Sequence, residues 1–189
     1  MKNGKQKKLS NAKVNIFYEV ATPSYVKDEK LFKKSITEGL GGVSRKNVEV
    51  NLIFTSSAKI KQLNKIYLNK NRITDVIAFN YNNPSPLSKA KTYMFSKTLK
   101  NTGRRVGGIY KSKKLIKKEK RLPFGDIFVC LPQAKKQSKL FKHPLKKELL
   151  ILAIHGALHL AGFDDTTLSQ RRKMDKLTDK ITEKLLSAL

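Results

Sequence analysis

Two of the three histidines in the chain, His155 and His159, lie four residues apart. Residues 145–154 before them are rich in apolar side chains and contain neither Gly nor Pro. This composition predicts a buried helix that continues through Leu160. Side chains four residues apart project from the same face of a helix, so both imidazoles can be directed at one metal ion.

The residues after this helix offer a third ligand. Gly162 is suited to the left-handed position that ends a helix, after which the chain can turn back and present Asp164 or Asp165. Two imidazoles and a carboxylate, with one position left for water, are typical of a catalytic zinc site. The ordinary alternative is a pair of core histidines with satisfied hydrogen bonds. A zinc peptidase with an H-E-x-x-H sequence is not favoured, because Gly156 stands where that enzyme needs its glutamate base.

The eleven residues from His155 to Asp165, HGALHLAGFDD, resemble the H-G-x-L-H-L-x-G-[YF]-D-H signature of the YbeY family, the metal-dependent endoribonucleases of bacterial rRNA maturation. The spacing agrees without a gap. Only the last position differs, since the family usually has a third histidine where this chain has Asp165. The resemblance implies that His155, His159 and Asp165 hold one divalent ion, most simply zinc. It implies that Asp164 orients one of the ligands without binding the ion itself, and it indicates no obvious general base.

A second segment, 63–79, reads LNKIYLNKNRITDVIAF. It resembles the family segment L-N-x-x-Y-R-x-K-D-x-P-T-D-V-L-S-F. The functional arginine of the family falls at Leu68, which cannot bind phosphate. Arg72, four residues further on, is an alternative contact for an RNA backbone. Thr74 and Asp75 either form a turn at the start of a strand, through local hydrogen bonds, or belong to the site itself.

The net charge of the chain indicates what class of partner it binds. Lys and Arg number 41 against 14 Asp and Glu, a net charge of +27. This favours nucleic acid or an anionic membrane as partner, with a merely basic soluble protein as the alternative. The basic first ten residues are not followed by an apolar segment, so they are not a signal peptide, and no stretch reaches transmembrane length. Cys130 is the only cysteine, which excludes an intrachain disulfide and favours a reducing cytoplasm without a disulfide-linked partner.

Residues 82–123 interrupt the alternating patterns with ten Lys and three Arg against Glu119, a net charge of +12. The corresponding connection in the YbeY family is much shorter, so we interpret this segment as an insertion. Such a connection is usually functional or disordered, and we expect it to be mobile in the free protein and to order on RNA. Its aromatic residues, interleaved with the charges, suit stacking on unpaired bases. The candidate RNA contacts within it are Arg104, Arg105, Lys113 and Lys114.

The remaining patterns predict the element order β-α-β-α-β, insertion, β and then helices. Strands are expected at 13–20, 47–54, 74–81 and 124–134, and helices at 28–40, after Ser56 or Ser57, from Pro144 to Leu160, and after Thr166 or Thr167. This order predicts a single α/β (α+β) domain over 1–189, with a small mixed four-stranded sheet covered by helices. The metal-binding helix should be the buried central one. Asp126, near the start of the last strand, either approaches the metal cleft or forms a turn.

These patterns and the resemblance together predict a metal-dependent, single-strand-type endoribonuclease in rRNA maturation and ribosome quality control. Its expected partner is ribosomal RNA or the small ribosomal subunit, without a membrane. The first alternative is a ribosome-associated rRNA-binding factor with a structural metal. In that case His143, the only other histidine, is the candidate for a closing fourth ligand. A metal-dependent hydrolase of another substrate is the second alternative.

Overall fold

The structure, a computed structural model, describes residues 12–41, 48–81 and 122–188. Its strands are β1 (Lys13–Tyr18), β2 (Val48–Thr55), β3 (Val76–Asn80) and β4 (Leu122–Cys130). Its α-helices are α1 (Glu29–Gly39), α2 (Ser57–Leu68), α3 (Leu131–Leu140), α4 (Leu145–Leu160) and α5 (Leu168–Leu186), with a short 3-10 turn at Ser24–Val26. The predicted insertion lies outside the described residues, apart from its last two positions, which begin β4. The candidate RNA contacts Arg104, Arg105, Lys113 and Lys114 lie outside them as well.

The described strands form one sheet in the order β1-β2-β4-β3. β1, β2 and β4 run parallel, and β3 is antiparallel to β4. The prediction of a small mixed four-stranded sheet is therefore confirmed. Successive side chains of a strand point to opposite faces, so Ile127 and Val129 face the core that contains α4, while Phe128 faces the core beneath α2.

Helix α4 is largely buried and lies at the centre of the described fold. It contacts α1, α3 and α5 and the strands β3 and β4. Leu149, Leu150 and Ile154 are completely buried in it. Gly156 permits the close approach to β4, since a Cβ added there would lie 2.5 Å from Cγ2 of Ile127. A glutamate at this position would point into the sheet, which agrees with the inference from sequence that the site is not an H-E-x-x-H peptidase.

The end of β4 and the start of α4 differ from the prediction. β4 ends at Cys130, and residues 131–140 form α3, where we expected the strand to continue. Leu131 extends the apolar alternation past the true end of the strand, but Pro132 belongs to the first turn of a helix, where proline is favoured. Pro144 precedes α4 as its N-cap residue, with a ψ of 143°, so this helix begins one residue later than predicted.

The caps of two other helices resolve alternatives that the sequence left open. The side chain of Ser56, and not Ser57, accepts a hydrogen bond from Lys59 N–H at the start of α2. Thr167, and not Thr166, caps α5 in a reciprocal capping box with Gln170. Among the described residues, no helix has the length and apolar character needed to cross a membrane.

Candidate metal centre

The turn after α4 returns the acidic loop to the helix. Gly162 has a φ of 95°, a left-handed value that glycine adopts without steric penalty. Its N–H donates to the carbonyl of His159 at 3.0 Å, and the N–H of Phe163 donates to the carbonyl of Leu158 at 3.0 Å. These two bonds form a Schellman motif. The prediction that Gly162 ends the helix is therefore confirmed.

This turn brings His155, His159 and Asp165 together, and we call these three residues the metal trio. One potential ligand atom from each lies within 4.8 Å of the others. Nε2 of His155 is 4.0 Å from a carboxylate oxygen of Asp165, and these side chains are 21% and 39% exposed. The two imidazole rings are inclined at 81° with their centroids 4.8 Å apart. Two nitrogens and one oxygen are compatible with one divalent ion.

The imidazole of His159 is oriented by the turn itself. Its Nδ1 lies 3.1 Å from the carbonyl oxygen of Phe163. A carbonyl oxygen only accepts hydrogen bonds, so Nδ1 carries the proton and Nε2 keeps its lone pair. A backbone carbonyl behind a histidine is a common arrangement at metal sites, where it fixes both the tautomer and the orientation of the ring.

The electrostatic environment of His155 favours the neutral imidazole. Burial is the main cause that lowers its pKa, and the neighbouring His159 lowers it further. The carboxylates of Asp165, Asp75 and Asp175 act in the opposite direction, but do not cancel the effect. Because a metal ion binds the neutral form of histidine, the lowered pKa keeps His155 ready to act as a ligand near neutral pH.

The two adjacent aspartates of the loop have different environments. Asp164 is exposed, and its carboxylate accepts hydrogen bonds from Asp165 N–H at 2.8 Å and from the hydroxyl of Thr166 at 3.3 Å. The carboxylate of Asp165 instead faces His155. Asp164 therefore shapes the backbone that carries Asp165.

Comparison with known proteins identifies the family. The sequence profile of the family described as Endoribonuclease YbeY matches residues 19–186. The chain belongs to the YbeY family. A YbeY endoribonuclease of Elusimicrobium minutum is 38% identical over 172 residues, which cover 91% of this chain and 99% of the relative. One from Phytoplasma australiense is 30% identical over 141 residues, covering 75% and 77% of the two chains.

A solved structure shows the same fold. The solution structure of a Thermotoga maritima protein superposes with a TM-score of 0.50 at 23% identity, over 93% of this chain and 90% of the other. The resemblance of the histidine segment to the YbeY signature predicts this family, and the order of the predicted elements predicts the fold class.

Two further residues considered from sequence do not join the metal trio. Nε2 of His143 lies 3.0 Å from the carboxylate of Glu148. Asp126 lies within β4, where it accepts hydrogen bonds from Asn51 Nδ2 at 2.7 Å and from the Tyr81 hydroxyl at 2.5 Å. Burial raises the pKa of Asp126. Asp126 pairs with Asn51 within the sheet, so it is not a turn residue, and the alternation of β4 places it on the face opposite Ile127, which faces the core that contains α4.

The segment that resembles the second YbeY motif lies at the end of α2 and the start of β3. Leu68 ends α2 and is 42% exposed. The backbone carbonyl of Arg72 accepts a hydrogen bond from Asn64 Nδ2 at 2.9 Å, but the guanidinium makes no hydrogen bond or ion pair with the described residues. The Asp75 carboxylate accepts from Val76 N–H at 2.8 Å, as expected for a turn at the start of a strand.

Sequence reasoning missed two residues that act on the site from outside the motif. Gln137 on α3 donates to the carboxylate of Asp75 at 2.8 Å and so fixes a negative charge that acts on His155. Asp175 on α5 adds a second such charge. Gln137 carried no signal because α3 itself was not predicted, and nothing in the sequence distinguishes Asp175 from the other acidic residues of an exposed helix.

Proposed function

We propose that this protein is a metal-dependent endoribonuclease that cuts single-stranded regions of ribosomal RNA during rRNA maturation and ribosome quality control. The observation that carries the proposal is the convergence of His155, His159 and Asp165 to within 4.8 Å. Membership of a family whose relatives are named Endoribonuclease YbeY supports the reaction. The net charge of +27 supports a polyanionic substrate, and a ribosomal substrate places the protein in the cytoplasm.

The metal trio would hold one divalent ion, most simply zinc. When bound, such an ion supplies a water of lowered pKa and neutralises charge on the scissile phosphate. The protein's own contribution is the preparation of the ligands. The carbonyl of Phe163 fixes the tautomer of His159, burial keeps His155 neutral, and Asp164 braces the backbone that carries Asp165. Basic side chains would hold the RNA backbone without reading its sequence.

The experiment that tests this proposal combines metal analysis with RNA cleavage. The purified parent should contain one divalent ion per chain and cut single-stranded RNA in preference to duplex RNA. His155→Ala should lose both metal and cleavage. A parent that holds the metal stoichiometrically but cuts no RNA, either free or in the small ribosomal subunit, would contradict the proposal and support an rRNA-binding factor with a structural metal. The position of His143, which pairs with Glu148 outside the metal trio, does not favour that alternative.

The proposed RNA contacts outside the metal trio are tested by the dependence of affinity on salt. These residues are Arg72, Arg104, Arg105, Lys113 and Lys114. Each lost phosphate contact reduces the slope of log affinity against log salt by about 0.7 for a single strand. Replacement of 84–119 by a short Gly-Ser linker should flatten this slope. A full-length variant with glutamine at Arg104, Arg105, Lys113 and Lys114 separates the effect of charge from that of length. An unchanged slope in both variants would contradict an RNA role for the segment.

Arg72 is proposed to take the role of the arginine that the YbeY family has at the position of Leu68. Arg72→Ala should lower turnover while it leaves the metal content unchanged, since the guanidinium makes no contact with the metal trio among the described residues. Equal turnover in the variant and the parent would contradict this role.

A further inference from the structure

The turn between α3 and α4 contains a strained lysine. Lys142 has a φ of 53°, and its N–H donates to the carbonyl of Lys139 at 3.3 Å, while His143 N–H donates to Ser138 at 3.0 Å. These bonds form a Schellman motif, in which the left-handed position is usually glycine. A lysine there carries a steric penalty that glycine would avoid. Strain that the chain could have avoided points to a use for the side chain.

An aromatic pair, the exposed Phe141 and the mostly buried His143, flanks this lysine. The rings of Phe141 and His143 are stacked, with centroids 6.1 Å apart and planes inclined by 20°. Phe141 is 60% exposed, although it is a large apolar residue at a turn. The left-handed conformation of Lys142 places the residues on either side of it next to each other. The turn therefore presents the ring of Phe141 to solvent, with the ring of His143 stacked against it.

His143, the less exposed member of the pair, contacts α4. Nε2 of His143 lies 3.0 Å from Glu148, which is buried. Glu148 precedes His155 by seven residues, which on a helix is nearly two full turns and a distance of about 10 Å. The two side chains consequently project from nearly the same face of α4. The aromatic pair thus lies beyond one end of the helical face whose other end carries the metal trio.

The sequence around the pair is rich in positive charge. Residues 131–147 contain six lysines and no acidic residue. Lys135, Lys136, Lys139 and Lys142 are exposed, and none of them forms an ion pair or a side-chain hydrogen bond with the described residues. A surface that combines an exposed phenylalanine ring with unpaired cations matches the two features of a single-stranded nucleic acid, stackable bases and a phosphate backbone.

We propose that Phe141 and His143 form a stacking site for an unpaired RNA base, with Lys139 and Lys142 binding the adjacent phosphates. This inference rests on the proposed function, since the ligand is the RNA that the metal trio would cut. Stacking on an aromatic side chain needs an unpaired base, so the site would select single strands over duplexes.

Binding of short RNA to the purified full-length protein tests the stacking site. The probes are a fluorescent 2′-O-methylated oligoadenylate, whose integrity is checked on a gel after each titration, and an abasic oligomer with the same number of phosphates. Phe141→Ala should bind oligoadenylate about tenfold more weakly, because one base loses its stacking partner, and should bind the abasic oligomer as the parent does. Leu140→Ala is the matched control, since Leu140 is an apolar residue of the same turn that is 73% exposed. It should bind both probes like the parent.

A second pair of variants tests the cation. Lys142→Gln should weaken the binding of both oligomers several-fold, because a phosphate contact is lost. Lys34→Gln makes the same charge change at an exposed position of α1 and should have a smaller effect. If Phe141→Ala binds oligoadenylate as tightly as Leu140→Ala does, the stacking site is wrong. The same holds if Phe141→Ala loses binding to phosphatidylserine vesicles but not to RNA, since the surface would then be a membrane contact.

Cleavage measured separately distinguishes the two proposals. A parent that binds oligoadenylate through Phe141 but cuts no RNA would overturn the proposed function and leave the stacking site in place. A parent that cuts RNA, with a Phe141→Ala variant that binds and cuts equally well, would overturn the stacking site alone.

Discussion

Helices α3 and α4 end in the same Schellman motif, but with different residues at the left-handed position. Gly162, after α4, has a φ of 95°, whereas Lys142, after α3, has a φ of 53°. The value at Lys142 falls within the small left-handed region that ordinary residues can adopt, and the value at Gly162 lies beyond it. A Cβ at Gly162 would meet no atom within 4 Å, so its backbone angle, and not the space around it, requires glycine. We call the turn after α4, at Gly162, the metal turn and the turn after α3, at Lys142, the basic turn. The metal turn therefore requires glycine, while the basic turn tolerates a lysine at some energetic cost.

The largest expected effect concerns the loop that the Gly162 turn returns to the helix. Asp165→Ala should lose the metal and RNA cleavage together, because two imidazoles alone hold a divalent ion weakly. Asp164→Ala should reduce metal affinity or activity by only about 10–100-fold, since Asp164 acts through the backbone of Asp165. Metal titration and cleavage rates measure both.

A third variant and a contrary outcome complete this test. Asp165→His restores the three histidines of the family signature and should keep the metal, with zinc favoured over harder ions. If Asp164→Ala loses the metal while Asp165→Ala retains it, the roles of the two aspartates are reversed. If neither variant affects the metal, the trio is not the binding site.

The next effect is the strain at the metal turn itself. Gly162→Ala should lower the free energy of unfolding by about 1–2 kcal/mol, since an L residue is forced into a disfavoured φ. It should also weaken metal binding, because relaxation of the turn moves the carbonyl of Phe163 away from His159. Denaturant unfolding of the metal-free protein and a metal titration separate these effects. A variant as stable as the parent would show that the turn relaxes freely.

The basic turn should respond in the opposite direction. Lys142→Gly removes the strain of the left-handed lysine but increases the entropy of the unfolded chain, so we expect a net gain of about 0.5–1 kcal/mol in stability. Asn69→Gly is the matched control, since Asn69 ends α2 with a φ of 57° and asparagine tolerates this region better. Its gain should be smaller. A Lys142→Gly variant less stable than the parent would mean that the lysine stabilises the turn.

The smallest expected effect is a dependence of stability on pH, caused by Glu148. Burial raises the pKa of Glu148 above its usual range, and Asp75 raises it further, while His143 lowers it. A carboxyl group whose pKa is raised by folding makes the folded state less stable as the pH rises through the interval above its unfolded pKa of about 4.3. Glu148→Gln removes this titration, so its stability relative to the parent should increase from about pH 4 upward and then level off. Urea unfolding at several pH values measures this difference. A difference independent of pH would contradict the raised pKa.

The parts of the structure that the sequence predicts well are those determined by local patterns. The continuous apolar face of α4 and the glycine at its end follow from side-chain chemistry within a few residues, and the caps of α2 and α5 follow from it to within one residue. α3 was not predicted, because Leu131 continues the alternation of β4 and only the fold decides where the strand stops. The position of His143 could not be predicted either, because it depends on α3: the turn after this helix directs the imidazole toward Glu148.

The choice of the third candidate ligand shows what local patterns leave undetermined. Neighbouring residues in an irregular loop point in different directions, so the residue pattern alone left Asp164 and Asp165 open. The resemblance to the YbeY signature selected Asp165, and the structure places its carboxylate oxygen near His155. The Arg72 side chain has no such support, because its position depends on contacts that no sequence pattern specifies.

The antiparallel pairing of β3 with β4 has a kinetic consequence. Tyr81 N–H donates to the carbonyl of Phe124 at 3.0 Å, so the two strands meet as they would across a tight hairpin, although residues 82–121 separate them along the chain. For a generic flexible chain, each doubling of loop length adds only about 0.6 kcal/mol to the entropic free-energy cost of closing the loop. The native state therefore tolerates a long connection, but the two strands must find each other as a non-local contact, and chains rich in such contacts fold slowly. Changes in the length of this segment would accordingly be recorded in the refolding rate more than in the equilibrium stability.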